Sequence, residues 1–314
     1  MNIGTTVRRF THIDIYKAIG IILMIIGHVD FSRTFTNWFG AFNMPMFFFI
    51  SGYLFKENGI KNFIIRKSKS LLIPYFIWGG INAIACTLIF NHFKFGRYLE
   101  RLFWYNNEPA LPITGALWFL TCLFFVNIIF YFLNKYCKKY ILEFVIILLV
   151  VLEFVFKIRL PWSLDSTIFM LPVFYAGFKF KQNETNFSAK TGLILSLIIP
   201  VITFFSIKAN VYVNVRTNTY SDLFLFYFNA LSMSIALYYI SKELAKIKII
   251  SYIKQIGEKS LDYMCSHQII LKLLQINGIE SKWIIFGLIL IFVNIYIFIK
   301  NLAKKLIQKK ESIV

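Results

Sequence analysis

Lys17 and His28 stand eleven residues apart in an apolar run, and Asp14 precedes Lys17 by three. At 100° per residue the lysine and the histidine differ by about 20° around a helix and by about 16 Å along it. Asp14 joins the same stripe, so one helix presents an acid, a base and an imidazole in line. Imidazole, with an ordinary pKa near 6.5, is a base suited to neutral pH, and it can also carry an acyl group. A bland account competes. Lys17 would snorkel to an interface with Asp14 as its partner, and His28 would sit at a wet helix end. Ionisable groups at the centre of a membrane helix cost about 2.5–3.5 kcal/mol each, which makes such residues functional candidates by default.

Two further groups of residues invite chemistry. His267 lies within IGEKSLDYMCSHQIILKLL, a helix too short and too polar to face lipid, so it faces protein or a water-filled cavity. The run Lys56–Lys69 is densely basic, and its Arg66, Lys67 and Lys69 suit either anionic headgroups or the phosphates of a nucleotide-like donor. His12 and His92 fall in a flank and a loop, where solvent satisfies them. Cys86, Cys122, Cys137 and Cys265 lack metal-ligand or redox spacing and suit packing, and no metal-binding cluster is expected.

The elements that position these residues follow from composition. The 314 residues are 58% hydrophobic and only 16% charged, against about 25% charged in an ordinary soluble domain. The bilayer must be part of the solvent. Spans of about 20 apolar residues are expected at 13–30, 38–55, 71–91, 116–134, 140–156, 191–207, 222–240 and 283–300, with shorter, more polar ones at 166–180 and 260–276. Runs such as YILEFVIILLVVLEFVF are apolar all round, which argues for helices over barrel strands. The expectation is an all-α integral membrane protein, a single domain over residues 1–314 built as a bundle of about ten transmembrane helices.

Charge orients that bundle. The net charge of +19 would suggest a nucleic-acid partner in a soluble protein. With both termini placed in the cytoplasm, however, twenty-four basic residues fall in inside segments and nine in outside loops. That asymmetry is what the positive-inside rule requires, and no nucleic acid is needed to explain it. The first span carries Asp14 and Lys17 and no small-residue cleavage site follows it, so it is expected to stay in the membrane. No internal repeat appears, which weighs against a repeat-built transporter or flippase for a glycan precursor.

Six strings occur in order: DIYKAIGIILMIIGH (Asp14 to His28), NMPMFFFISGYLF (Asn43 to Phe55), RKSKSLLIPYFIWG (Arg66 to Gly79), GALWFLTCLF (Gly115 to Phe124), LPVFYAGFKFK (Leu171 to Lys181) and IGEKSLDYMCSH (Ile256 to His267). Together they resemble the membrane-bound acyltransferase 3 family, and more narrowly its sugar O-acetylase, fucose 4-O-acetylase-like branch. The resemblance implies an enzyme of a bacterial plasma membrane that moves an acyl group from cytoplasmic acyl-CoA, acetyl-CoA by default, to a hydroxyl of a surface glycan or its lipid-linked precursor. It leaves the oligomeric state open. The family's basic residue, ten residues, then histidine corresponds to Lys17 and His28. The commoner form has Arg in the first place; Lys is a point charge without the bidentate fork. By resemblance His28 is the base or acyl carrier, Lys17 stabilises negative charge or holds the donor, and His267 lines the same cavity, with Asp14 a further candidate for its lining.

Overall fold

The computed structural model describes residues 10–184, 189–206, 212–248, 250 and 253–311. Arg8, Arg9 and Lys208 of the charge tally, and both chain termini, lie outside the described residues. The chain is helical almost throughout: α1 (Thr11–Val29), α2 (Arg33–Gly40), α3 (Asn43–Tyr53), α4 (Ile60–Lys67), α5 (Ile73–Ile89), α6 (Phe95–Phe103), α7 (Trp118–Tyr136), α8 (Lys139–Phe156), α9 (Leu164–Asn183), α10 (Ala189–Ser206), α11 (Leu223–Leu244), α12 (Lys254–Glu258), α13 (Ser260–Ile276) and α14 (Lys282–Glu311). One antiparallel hairpin, β1 (Val213–Asn214) with β2 (Thr219–Tyr220), pairs Val213 with Tyr220.

Each expected apolar segment is helical, but not all in the same way. Among the described residues five helices are long and apolar enough to cross a membrane: Thr11–Val29, Ile60–Ile89, Gly115–Tyr136, Leu223–Leu244 and Lys282–Gln308. The segment expected as one span over 38–55 is instead broken at Ala41–Phe42, between α2 and α3. At 1.5 Å per residue the 11-residue α3 reaches about 16 Å, roughly half the hydrocarbon thickness. The break has a local cause: Pro45 has no backbone N–H to donate and suits a first helical turn, so the helix restarts at Asn43.

The less hydrophobic helices occupy the middle. α9 packs against α3, α7, α8 and α11, and buries Asp165, Ser166 and Thr167 at one end. In α13 the residues Asp262, Ser266 and His267 are buried, and Asp262 is paired with Lys300 at 2.5 Å. By contrast α8 and α14 turn exposed Leu148, Val155, Ile291 and Phe298 outward, where lipid is the natural solvent. Backbone contact locks α3 to α9. A Cβ at Gly52 would fall 1.9 Å from the Phe174 carbonyl, and one at Gly177 would fall 1.9 Å from the Phe49 carbonyl. Only glycine at both positions permits that approach.

The loop from Trp104 to Gly115 is held as firmly as a helix. Asn106, fully buried, donates to Thr121 Oγ1 (2.8 Å) and accepts from Ser163 Oγ (2.7 Å). Asn82 of α5 donates to the Pro112 carbonyl (2.7 Å). Buried amides thereby satisfy a loop that no helix ladder serves. This loop and the β1–β2 hairpin cover the end of the bundle at which α1 finishes.

Candidate functional site

The site is organised by α1. Its stripe from Lys17 to His28 faces two cavities stacked along the helix. The inner cavity, about 260 Å³, is walled by Lys17, Ile21 and Met24 of α1, by Phe47 and Ser51 of α3, and by Lys67, Ser70 and Leu71. The last three belong to a π-helical turn, Ser68–Leu72, and its approach from α4. Such a bulge shifts the register within a helix and recurs at functional sites. Here it brings Lys67 and Ser70 to the same cavity as Lys17.

The outer cavity, about 540 Å³, is walled by Met24, Gly27 and His28 of α1, Asn43 and Met44 of α3, the Ala110–Ala116 loop, the hairpin residues Val213–Arg216 and Gln268 of α13. Met24 and Met44 belong to the walls of both cavities. Two flexible thioethers therefore stand between the lysine and the histidine. Asn43 fixes this joint. With its amide oriented to satisfy both groups, it donates to the Gly20 carbonyl (2.9 Å) and accepts from the Met24 N–H (3.2 Å). The start of α3 is thereby pinned to the middle of α1.

His28 is exposed to the outer cavity. Its ring centroid lies 5.0 Å from that of His267, with the planes tilted by 43°. His267 Nδ1 lies 3.0 Å from the Tyr263 carbonyl and 2.9 Å from that of Met264. Both are acceptors, so Nδ1 carries the proton and Nε2 is the acceptor side of the ring. That Nε2 is buried and has no hydrogen-bond partner among the described residues. Gln268 is oriented from the other side: its Oε1 accepts from the Ala116 N–H (2.9 Å). Its amide nitrogen is consequently turned to His28, 3.4 Å from each ring nitrogen.

Arg216 brings positive charge to the same cavity. It donates to the Asn107 carbonyl at 2.9 Å, while its own carbonyl accepts from Ser166 Oγ at 3.0 Å. Burial pulls its guanidinium below the ordinary arginine pKa, but arginine remains charged throughout the physiological range. The outer cavity thus holds a base, an amide donor and a guanidinium around open space, the elements needed to deprotonate a hydroxyl and stabilise an oxyanion.

The expected site residues divide accordingly. Lys17 and His28 lie on one face of α1 but in different cavities. Of the basic trio, Lys67 joins Lys17; Arg66 and Lys69 are exposed and away from the inner wall, with Arg66 turned to the Asn58 side-chain oxygen at 2.8 and 3.0 Å. Asp14 and His267, expected in the lining, are buried behind it. Asp14 is displaced by packing: its carbonyl lies 1.7 Å from where a Cβ at Gly257 would be, so α12 presses on α1 there. His267 is covered by the His28 ring. Arg216, Gln268 and Asn43 are the cavity residues that sequence reasoning misses. Arg216 registers there only as a loop cation, and nothing in the local pattern around it signals a site.

No curated protein and no solved structure matches the chain. The family model for the acyltransferase domain of the acyltransferase 3 family matches residues 10–302, nearly the whole length. With this match and its membrane-length apolar helices, the chain belongs to the acyltransferase 3 family and is an acyltransferase of the membrane.

Proposed function

We propose that the protein is an O-acyltransferase that receives an acyl group from acyl-CoA at the inner cavity and delivers it to a glycan hydroxyl at the outer one. The observation that carries this reading is the pair of cavities along α1, Lys17 in one and His28 in the other, meeting at Met24 and Met44. Lys17 and Lys67 supply point charges for the phosphates of the donor. The apolar remainder of the inner wall suits a pantetheine arm, whose thioester reaches His28 by displacing the two methionine side chains.

At the outer cavity His28 takes the proton from the acceptor hydroxyl as its oxygen attacks the thioester carbonyl. The C–O bond forms, the oxyanion is met by Arg216 and the Gln268 amide, and the C–S bond then breaks. The proton held by His28 passes to the departing thiolate. The same atoms serve a two-step route in which the His28 nitrogen first accepts the acyl group and the hydroxyl then removes it. Acetyl is the expected acyl group. The acceptor is a surface polysaccharide or its lipid-linked precursor.

The reading includes ten spans with both termini on the cytoplasmic side of a bacterial plasma membrane. The distribution of basic residues supports it. The broken α2–α3 segment crosses only as part of the packed bundle, since irregular backbone at membrane depth is tolerated where protein or a cavity surrounds it. The test is proton NMR of surface polysaccharide from cells lacking the gene, complemented with the wild type or with His28→Ala. An O-acyl signal restored by the wild type alone supports the reading; an unchanged signal in the deleted cells contradicts it.

A further inference from the structure

A third cavity, about 360 Å³, opens at the same end of the bundle but is not part of the His28 site. Three carboxylates line it, Glu108, Glu153 and Asp165, together with Arg159 and the rings of Phe154 and Tyr220. Glu153 is the unusual member. It sits near the outer end of α8, 5% exposed, among neighbours that face outward, and its carboxylate has no hydrogen-bond or ion-pair partner among the described residues. Tyr220 repeats the pattern, with a buried hydroxyl that has no partner among them. Asp165, 7% exposed, has one side satisfied: Asn107 donates to both oxygens (2.9 and 3.0 Å) and the Ser166 N–H to one (2.9 Å). A carboxylate that faces a cavity and has no partner within the protein is open to a ligand that donates.

The hairpin connects this cavity to the site. Val213–Arg216 wall the His28 cavity and Thr217–Tyr220 wall this one. Asn107 bridges the two, donating to Asp165 from its side chain and accepting from Arg216 at its carbonyl. Eight residues of hairpin, four to each cavity, are the partition.

We propose that this cavity is a sugar subsite, which holds a neighbouring unit of the acceptor glycan while another unit presents its hydroxyl to His28. This rests on the reading of the chain as a glycan O-acyltransferase. The chemistry favours a neutral polyol. Paired carboxylates accept from hydroxyls on adjacent carbons, Arg159 donates to ring and hydroxyl oxygens, and aromatic rings cover the apolar face of a sugar. An anion would meet the carboxylates, and a cationic ligand would meet Arg159 and Lys157. A bound metal is disfavoured, because no group of three or more His, Cys, Asp or Glu is arranged to hold one among the described residues.

The test uses the detergent-purified full chain with oligosaccharides of one, two and four sugars, prepared from the de-O-acylated surface polysaccharide of the cell that carries the gene. For the wild type, kcat/KM should rise at least about tenfold from one sugar to the longer acceptors, as hydrogen bonds to charged groups would supply. Glu153→Gln should raise KM about tenfold for the longer acceptors, with kcat and the one-sugar reaction unchanged. Thr219→Trp, which narrows the cavity from the exposed hairpin, should do the same and guards against misfolding of the first variant. Unchanged KM at every length in both variants overturns the subsite. If the wild type acylates none of the sugars, the reading of the reaction fails instead. Calorimetric binding of the four-sugar probe then decides the subsite: weaker binding by Glu153→Gln supports it, and equal binding overturns it.

Discussion

The inner and outer cavities are built from the same helix and differ in almost everything else. The inner one has mainly apolar walls, takes its charge from two lysines and draws its residues from helices throughout. The outer one is twice the volume, is roofed by a loop and a hairpin, and gathers an imidazole, an amide and a guanidinium from three remote segments. A binding cavity needs shape and a few point charges, which helices provide. A reacting cavity needs several groups aimed at one place, and here two helices bring the imidazole and the amide while the hairpin, held at Asn107, brings the guanidinium. Met24 and Met44 are where the two designs meet.

Removing the base of the outer cavity should have the largest effect. His28→Ala and His28→Gln should each lower turnover about 10²–10⁴-fold, with the protein still inserted and accumulated, because neither side chain takes a proton at neutral pH. Activity retained by the Gln variant would move the chemistry elsewhere. Arg216→Ala should lower kcat about 10²-fold with little change in donor KM, the signature of an oxyanion donor. Arg216→Lys should recover part of that loss by charge alone. Steady-state kinetics with acetyl-CoA varied would separate the two parameters.

The effects at the inner cavity should be smaller and of another kind. Lys17→Ala should raise KM for acetyl-CoA about tenfold or more, the value of a charge-assisted contact, and Lys17→Arg should restore most of it. Equal, wild-type behaviour in both would leave Lys17 as an interfacial anchor. Lys69→Ala, which changes an exposed residue away from the cavity wall, should fall within about twofold of the wild type. A change as large as that of Lys17→Ala would mean that the donor approaches from outside the inner cavity.

The same contrast explains what the sequence reveals. The stripe from Lys17 to His28 is readable because helical spacing is local, and each expected apolar segment is helical apart from the break at Ala41–Phe42 within 38–55. His267 was expected to avoid lipid because its helix is too polar, and it is fully buried. The misses are contacts between remote segments. Gln268 meets His28 across 240 positions, and Arg216 is held by Asn107 across 109. The break before Asn43 is in part a tertiary matter too: Pro45 favours a first helical turn locally, and the Asn43 amide bonds to Gly20 and Met24 fix where α3 starts against α1. Nor does basic spacing alone separate Lys67 from Arg66 and Lys69, since the π-helical turn decides which of them reaches the cavity.

Transfer through the two stacked cavities should have a direction. Vesicles of uniform orientation would be loaded with acetyl-CoA on the side of Lys17, with the glycan acceptor supplied on the side of His28, and O-acetylated glycan would be measured against the reverse arrangement. Product should form only when donor and acceptor lie on opposite sides in that order, and none should form with His28→Gln. Product formed at equal rate with donor and acceptor both on the side of His28 would contradict this direction of transfer.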